Sequence, residues 1–199
     1  MIVVVGVPRL GGSAPPRAAG LAAEIARGAA GAGSAVQLMG KLGDDPEGDL
    51  VLLQLAGAGV GHPAMLRDPA RRTPVGTARA AAERGPAPTL EPADLELGLR
   101  YVPDFRVLVV AVPSQPELIG VAAEAASFAG AHLIVITNAR GHVETLPERS
   151  TVLTAPRGEA GESALAGLVA TYAVALDAGD DSTAAWRTAM AAAGAENLP

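Results

Sequence analysis

Two glutamates and three glycines are grouped in residues 158–167, which read G-E-A-G-E-S-A-L-A-G ahead of an apolar run. This pattern predicts that a helix begins near Ala160. The start of a helix carries unpaired N–H donors and a partial positive charge, so it attracts phosphate groups and oxyanions. Glycine lets such an anion approach the backbone closely. The stretch is therefore a candidate anion site.

The two acids of this stretch, Glu159 and Glu162, have two readings. A carboxylate at Glu159 would repel a polyphosphate and could itself occupy the N–H donors. Alternatively, both glutamates simply stabilise an ordinary helix start, where acidic residues are favourable. The residues of the stretch alone leave both readings open.

Composition limits the classes of protein that the chain can represent. It has 199 residues, a net charge of −6 and no cysteine, and only 3% of its residues are aromatic. The acidic balance argues against a nucleic-acid partner, and no apolar run is long enough for a membrane helix. We expect a soluble cytoplasmic protein. Helices rich in alanine bury little area each, so we also expect a homo-oligomer, most simply a homodimer.

The elements that must position this stretch alternate between strands and helices. The continuous apolar run of residues 2–5 predicts a buried strand, and Asp45 before Pro46 predicts a helix start. Ser114 and Glu117 predict a capping box for a later helix. Strands are expected at residues 2–5, 35–39, 106–112, 132–137 and 151–154, with weaker candidates at 64–66 and 75–80. Helices are expected at residues 17–30, 46–56, 92–99, 118–128, 160–176 and 182–193.

This alternation predicts the fold class. Strands separated by helices of this length favour a mainly parallel central sheet covered by helices on both faces, a three-layer α/β sandwich. No repeat and no low-complexity linker divides the chain, so we expect a single domain over residues 1–199.

Other sites are less well supported. The acids of residues 44–49 lack the spacing of a calcium loop and are explained by helix capping, and the three histidines lack metal-ligand spacing. We therefore expect no metal site formed by the protein alone. The acids are Asp44, Asp45, Glu47 and Asp49, and the histidines are His62, His132 and His142.

Several motifs together resemble those of the ribokinase-like (PfkB) carbohydrate kinases. Residues 158–167 are similar to the family's G-A-G-D-A-F-x-A-G, and residues 38–48, L-M-G-K-L-G-D-D-P-E-G, are similar to its I-G-x-V-G-D-D-x-x-G. Gly11 and Gly12 resemble its diglycine motif, and residues 72–76 resemble its P-T-G turn. The resemblance covers most of the chain and implies a ribokinase-like fold.

The resemblance also implies roles for particular residues. Glu162 stands at the position of the base that takes the proton of a sugar or nucleoside hydroxyl. The N–H groups of Glu159, Ala160 and Gly161 would form the anion hole, and Gly11 and Gly12 would lie against the sugar. ATP and Mg²⁺ would be the cofactors of an active enzyme.

The chain departs from the family pattern at several of these points. No Asp follows the first strand, Pro16 replaces the Asn of the diglycine motif, and Glu159 replaces a glycine. The family's lid strands and a nucleotide-binding stretch before Glu159 are missing. We therefore expect a kinase homologue with impaired catalysis. The alternative is a non-catalytic protein that binds a small molecule or serves as an oligomeric scaffold.

Overall fold

The computed structural model describes residues 1–11, 15–77, 79–80, 86–113, 115–138, 146–156 and 158–194. The strands are β1 (Ile2–Val5), β2 (Arg9–Leu10), β3 (Ala18–Ala19), β4 (Val36–Gly43), β5 (Val60–Gly61), β6 (Met65–Asp68), β7 (Val107–Val110), β8 (His132–Thr137) and β9 (Ser150–Thr154). The helices are α1 (Leu21–Gly31), α2 (Pro46–Gly57), α3 (Pro92–Leu99), α4 (Glu117–Ala129), α5 (Glu159–Ala178) and α6 (Ser182–Ala192).

Seven strands form one sheet in the order β5–β4–β1–β7–β8–β9, with β6 also paired to β4. Every pairing within this sheet is parallel. The chain moves from β1 outward to β4 and later returns to add β7 on the other side of β1. The sheet therefore has a topological switch point between β1 and β7, where open α/β sheets bind their ligands.

Helices cover both faces of the sheet. Ile2 and Val4 pack with α1, α2, α5 and α6, whereas Val3 and Val5 pack with α3 and α4. All four residues of β1 are completely buried, as expected for a central parallel strand between two helical layers. The predicted three-layer α/β sandwich with a mainly parallel sheet is confirmed.

A two-stranded antiparallel ribbon lies between β1 and α1. Arg9 and Leu10 of β2 pair with Ala19 and Ala18 of β3. This pairing corrects the predicted helix over residues 17–30: Ala18 and Ala19 are extended, and α1 begins at Leu21 after Gly20, whose φ of 92° excludes a helical conformation. The ribbon itself is not predicted from the sequence.

Two further local expectations are corrected. The strand expected at residues 75–80 is absent from the described part of that range, where Val75 makes one isolated bridge to Leu10 and Arg79 and Ala80 are helical. Ser114 of the expected capping box lies outside the described residues, and Pro116 is the N-cap of α4. Within the described part of the chain, no helix is long and apolar enough to cross a membrane.

Candidate functional site

A cavity of about 700 Å³ opens at the carboxyl edge of the sheet. Val7 follows β1, Ala111 and Val112 follow β7, Asn138 follows β8 and Ala155 follows β9, and all of them line the cavity. The start of α1 adds Gly20, Leu21 and Ala22. The cavity thus lies at the switch point between β1 and β7, and its volume is within the range of small-molecule sites.

The walls of the cavity are largely apolar and rich in proline. Pro74, Pro86, Pro88, Pro113 and Pro156 all line it. Proline has no N–H group, so these wall positions offer a ligand apolar ring surface and no backbone donor. Hydrogen-bond donors for a ligand must therefore come from other residues of the lining.

Four of the described residues that line the cavity have polar side chains: Arg9, Gln115, Asn138 and Glu162. The Gln115 amide already donates from Nε2 to the Leu90 carbonyl at 2.6 Å, which fixes its orientation. Arg9 and Glu162 are the charged members of this set. Their arrangement decides the electrostatics of the site.

Glu162 lies in the first turn of α5, beside the other residues predicted for the anion site. Gly158 caps this helix with a φ of 85°, and its carbonyl accepts from Glu162 N at 3.0 Å. No side chain among the described residues caps the helix. The helix therefore presents Glu159, Ala160 and Gly161 at its start, next to the cavity.

Gly161 has a packing role. A Cβ atom at this position would lie 2.8 Å from the Cβ of Pro156, closer than two carbon atoms can approach without a shift. The glycine therefore lets the start of α5 pack against a proline of the cavity wall.

Arg9 of β2 reaches across to the start of α5. Its Nη2 donates to Glu159 Oε1 at 3.0 Å, and its Nη1 lies 3.6 Å from Glu162 Oε2. Its Nε donates to the Gly76 carbonyl at 3.1 Å. The Arg9 side chain is only 12% exposed, compared with 52% for Glu159 and 26% for Glu162. One guanidinium is thus shared by two carboxylates, which leaves a formal charge of −1 on the three side chains.

Sequence reasoning missed Arg9, Gln115 and Asn138, of which Arg9 is the charged residue. Its partners are about 150 positions away along the chain, and no short motif encodes such a contact. The available signal was a cation directly after the first strand, a position that meets the switch point of a parallel sheet.

Gly11 and Gly12, the predicted diglycine motif, are not found with the other predicted site residues among the described residues at the cavity. Gly11 ends the ribbon, where its N–H donates to the Arg17 carbonyl at 2.7 Å, and it is not among the described residues that line the cavity. Gly12 lies outside the described residues. The structure therefore brings together Glu159, Ala160, Gly161 and Glu162, while Gly11 lies at the ribbon.

Residues 43–48 form the predicted helix start of α2. Asp45 is the N-cap, and its Oδ1 accepts from Gly48 N at 2.8 Å while Oδ2 accepts from Thr73 N at 2.7 Å. Burial would raise the pKa of Asp45, but hydrogen bonds from Thr73 and Gly48, together with the charge of Arg67, outweigh it and hold that pKa below its ordinary value. Asp45 therefore connects two separate segments.

The described residues contain no group of three or more His, Cys, Asp or Glu side chains arranged to hold a metal ion. Nor do the side chains at the start of α5 fit the phosphates of ATP. Two carboxylates and one guanidinium meet there, and a phosphate would require the opposite balance of charge.

No protein-family model matches the chain, and no curated protein matches it. Several solved structures match over more than 90% of both chains. A PfkB protein from Polaromonas sp. JS666 has a TM-score of 0.68 and 16% identity, with 100% of this chain and 96% of that chain covered. A fructokinase with bound ATP from Xylella fastidiosa has a TM-score of 0.59 and 18% identity, covering 98% and 92%.

An aminoimidazole riboside kinase from Salmonella enterica is also similar, with a TM-score of 0.60, 14% identity, and coverage of 100% of this chain and 93% of that chain. The chain is thus an α/β protein with an open parallel sheet and a cavity at its switch point. More particularly, the fold is the ribokinase-like fold of the PfkB kinases, as the sequence motifs predict.

Proposed function

We propose that this chain is a homologue of the PfkB sugar and nucleoside kinases that binds a sugar or nucleoside in the cavity and whose phosphoryl transfer is impaired. The observation that carries the proposal is the sharing of Arg9 between Glu159 and Glu162 at the start of α5. We also propose that the chain forms a single domain, that the protein is cytoplasmic and that it assembles into a homodimer.

The charge balance supports impaired phosphoryl transfer. Catalysis of phosphoryl transfer depends on cationic groups and helix N-termini that stabilise charge on the transferred group. Here the Arg9 guanidinium is already neutralised, and the Glu159 carboxylate lies at the first residue of α5. A phosphate approaching this helix would meet a net negative charge.

The position of Glu162 supports the same conclusion. To act as a base, Glu162 would have to accept a proton from a ligand hydroxyl and so lose its charge. That proton would end the ion pair with Arg9, at 3.6 Å, and leave a mostly buried guanidinium with Glu159 as its remaining carboxylate partner. The ion pair therefore opposes the proton transfer.

The cavity supports retained ligand binding. Its apolar proline walls suit the ring of a sugar or a nucleobase, and its four polar side chains can orient hydroxyl groups. The neighbours' names, fructokinase and aminoimidazole riboside kinase, supply the first compounds to test.

A second candidate function is an active kinase. The specific observation in its favour is that Glu162 lines the cavity, where a bound hydroxyl would be within reach of its carboxylate. In that case ATP and Mg²⁺ would be required.

A binding and turnover screen tests the two candidates. Fructose, ribose, adenosine and aminoimidazole riboside would be tested by thermal shift and calorimetry, with and without ATP and Mg²⁺, and ADP release would be followed in a coupled assay. A ligand at 100 times its Kd stabilises the native state by about 2.7 kcal/mol, which raises Tm by roughly 5–10 °C for a chain of this length. We expect such a shift from one of these compounds, without ADP release.

Matched variants make the result decisive. The active kinase would be established, and impairment refuted, by ADP release that depends on the added sugar and that Glu162→Gln abolishes. Glu124→Gln, at an exposed position of α4, should leave that release intact. If no compound shifts Tm, ligand binding in the cavity is refuted.

A Glu159→Gly variant tests the electrostatic explanation directly. It removes one carboxylate from the start of α5 and changes the formal charge of the Arg9 group from −1 to zero. Affinity for ATP and inorganic phosphate should rise, and added salt should weaken the gain. If calorimetry detects no phosphate binding by the variant at millimolar concentration, Glu159 is not the obstacle.

A further inference from the structure

Asp45 uses both of its carboxylate oxygens, and only one of them serves its own helix. Oδ1 accepts from Gly48 N and so caps α2, whereas Oδ2 accepts from Thr73 N in a different segment. Thr73 is buried, and its Oγ1 accepts from Gly43 N at 3.0 Å. Residues 43–45, which precede α2, therefore hold Thr73 through both its backbone N–H and its side-chain hydroxyl.

Two glycines make this contact possible. A Cβ at Gly43 would lie 2.5 Å from Thr73 N, and a Cβ at Gly48 would lie 2.9 Å from Thr73 Oγ1 and 2.7 Å from Gly43 O. A side chain at Gly43 would press on Thr73 N and on the Asp45 carboxylate, and one at Gly48 would press on Arg67 Nη1 and Gly43 O as well as on Thr73 Oγ1. Thr73 belongs to a segment of residues 71–76, which we call the Thr73 segment. The glycines and Asp45 of residues 43–48 thus act on the same contact.

The Thr73 segment continues directly into the cavity wall. Pro74 lines the cavity, and its carbonyl accepts from Leu10 N at 2.8 Å, while Gly76 N donates to Leu10 O at 2.8 Å. The Gly76 carbonyl accepts from Arg9 Nε. A continuous set of hydrogen bonds therefore joins Asp45 to the backbone and side chain of β2.

Arg9 completes the connection, because its guanidinium contacts Glu159 and Glu162 at the start of α5. We propose that Asp45 is a positioning residue for the cavity: through Thr73 it fixes the Pro74 wall and the orientation of Arg9. The importance of the cavity as a ligand site rests on the proposed function, whereas the positioning itself does not.

The test removes the contact that Asp45 Oδ2 makes with Thr73 and keeps the cap that Oδ1 provides. Asp45→Ser keeps an N-cap, since serine caps helices as well as aspartate does, but it offers one oxygen and leaves Thr73 N without its acceptor. The matched control is Asp181→Ser, because Asp181 is the N-cap of α6 and its carboxylate accepts from Thr183 N and Ala184 N, which both belong to that helix.

The measurement is hydrogen exchange by ¹⁵N NMR on the ligand-free protein. The probes are the amides of Leu10 and Gly76 and the side-chain Nε–H of Arg9, with the amide of Ile134 in the buried core as reference. We expect exchange at the three probes to be about tenfold faster in Asp45→Ser. The N–H of buried Thr73 has then lost its acceptor, so the Thr73 segment opens more often and its hydrogen bonds to β2 open with it. Exchange at Ile134 should be unchanged, and Asp181→Ser should alter none of the four.

Two results would overturn the proposal. In one, exchange at Leu10, Gly76 and Arg9 is the same in Asp45→Ser as in the unmodified protein, so the contact of Asp45 with Thr73 does not position the cavity wall or Arg9. In the other, exchange at the Ile134 reference accelerates together with exchange at the three probes, so Asp45 contributes only to the global stability of the protein. Gly48→Ala provides a second variant, because its Cβ would press on Thr73 Oγ1, and also on Gly43 O and Arg67 Nη1, while Asp45 is retained. It should accelerate exchange at the same three probes. Failure of every sugar and nucleoside to bind would refute the proposed function and leave this exchange test intact.

Discussion

Replacing Arg9 with methionine removes the shared cation of the site and keeps most of the aliphatic stem. Three interactions are lost: the hydrogen bond to the Gly76 carbonyl and the ion pairs with Glu159 and Glu162. The hydrogen bond contributes about 1 kcal/mol, and each partly exposed ion pair contributes about 0.5–1 kcal/mol. Arg9→Met should therefore destabilise the protein by about 2.5 kcal/mol, which corresponds to a fall in Tm of roughly 5–10 °C.

Urea unfolding of a double-mutant cycle measures these contributions separately. The cycle combines Arg9→Met with Glu159→Gln and with Glu162→Gln, at low salt and in 1 M NaCl. We expect coupling in both pairs, and salt should reduce the coupling to Glu159 more, because that carboxylate is 52% exposed and the Glu162 side chain 26%.

Arg27→Met is the matched control for this cycle. Arg27 is also partly buried and donates to a backbone carbonyl, that of Ala18 at 3.4 Å, but it forms no ion pair with any described residue. Its loss should cost less than about 1 kcal/mol. Equal destabilisation by the two variants, with no coupling to either glutamate, would refute the assignment of Arg9 as the electrostatic centre of the site.

Three further predictions concern other parts of the molecule. Gly161→Ala should destabilise by about 1–3 kcal/mol in urea, because its Cβ would press on Pro156, whereas Gly167→Ala on the same helix meets nothing and should be neutral or stabilising. Burial and two neighbouring arginines lower the pKa of His132 below 6.5, so its contribution to stability is complete above pH 6.5 and is lost as the pH falls through the folded-state pKa. His132→Gln should abolish that dependence, and an NMR titration that places the pKa of His132 at or above 6.5 would contradict it. Light scattering at micromolar concentration should give the mass of a homodimer, and a monomer mass would remove that expectation.

The elements that the sequence predicts best are those whose signal is local. β1 is bounded as predicted because four consecutive apolar residues need burial on both faces of the sheet. β8 and α3 also match their predicted bounds. The start of α2 follows directly from Asp45 before Pro46, since capping chemistry acts within a few residues.

The features that the sequence does not predict depend on contacts between distant segments. The ribbon strands β2 and β3 have two residues each, which is too short for any periodic signal. Their pairing overrides the helical preference of Ala18 and Ala19. The contact of Arg9 with Glu159 likewise depends on the fold bringing β2 to the start of α5, and no local pattern records it.

The two glycines of residues 158–161 have structural roles that do not require a bound phosphate. Gly158 has a φ of 85°, a conformation that side chains rarely adopt, and Gly161 packs against Pro156. Both glycines are thus explained by the fold alone, without any bound phosphate. Glu159, an exposed residue between them, carries a charge that opposes phosphate binding. The shape of this turn and its electrostatics therefore depend on different residues, and the function that we propose depends on Glu159, Glu162 and Arg9.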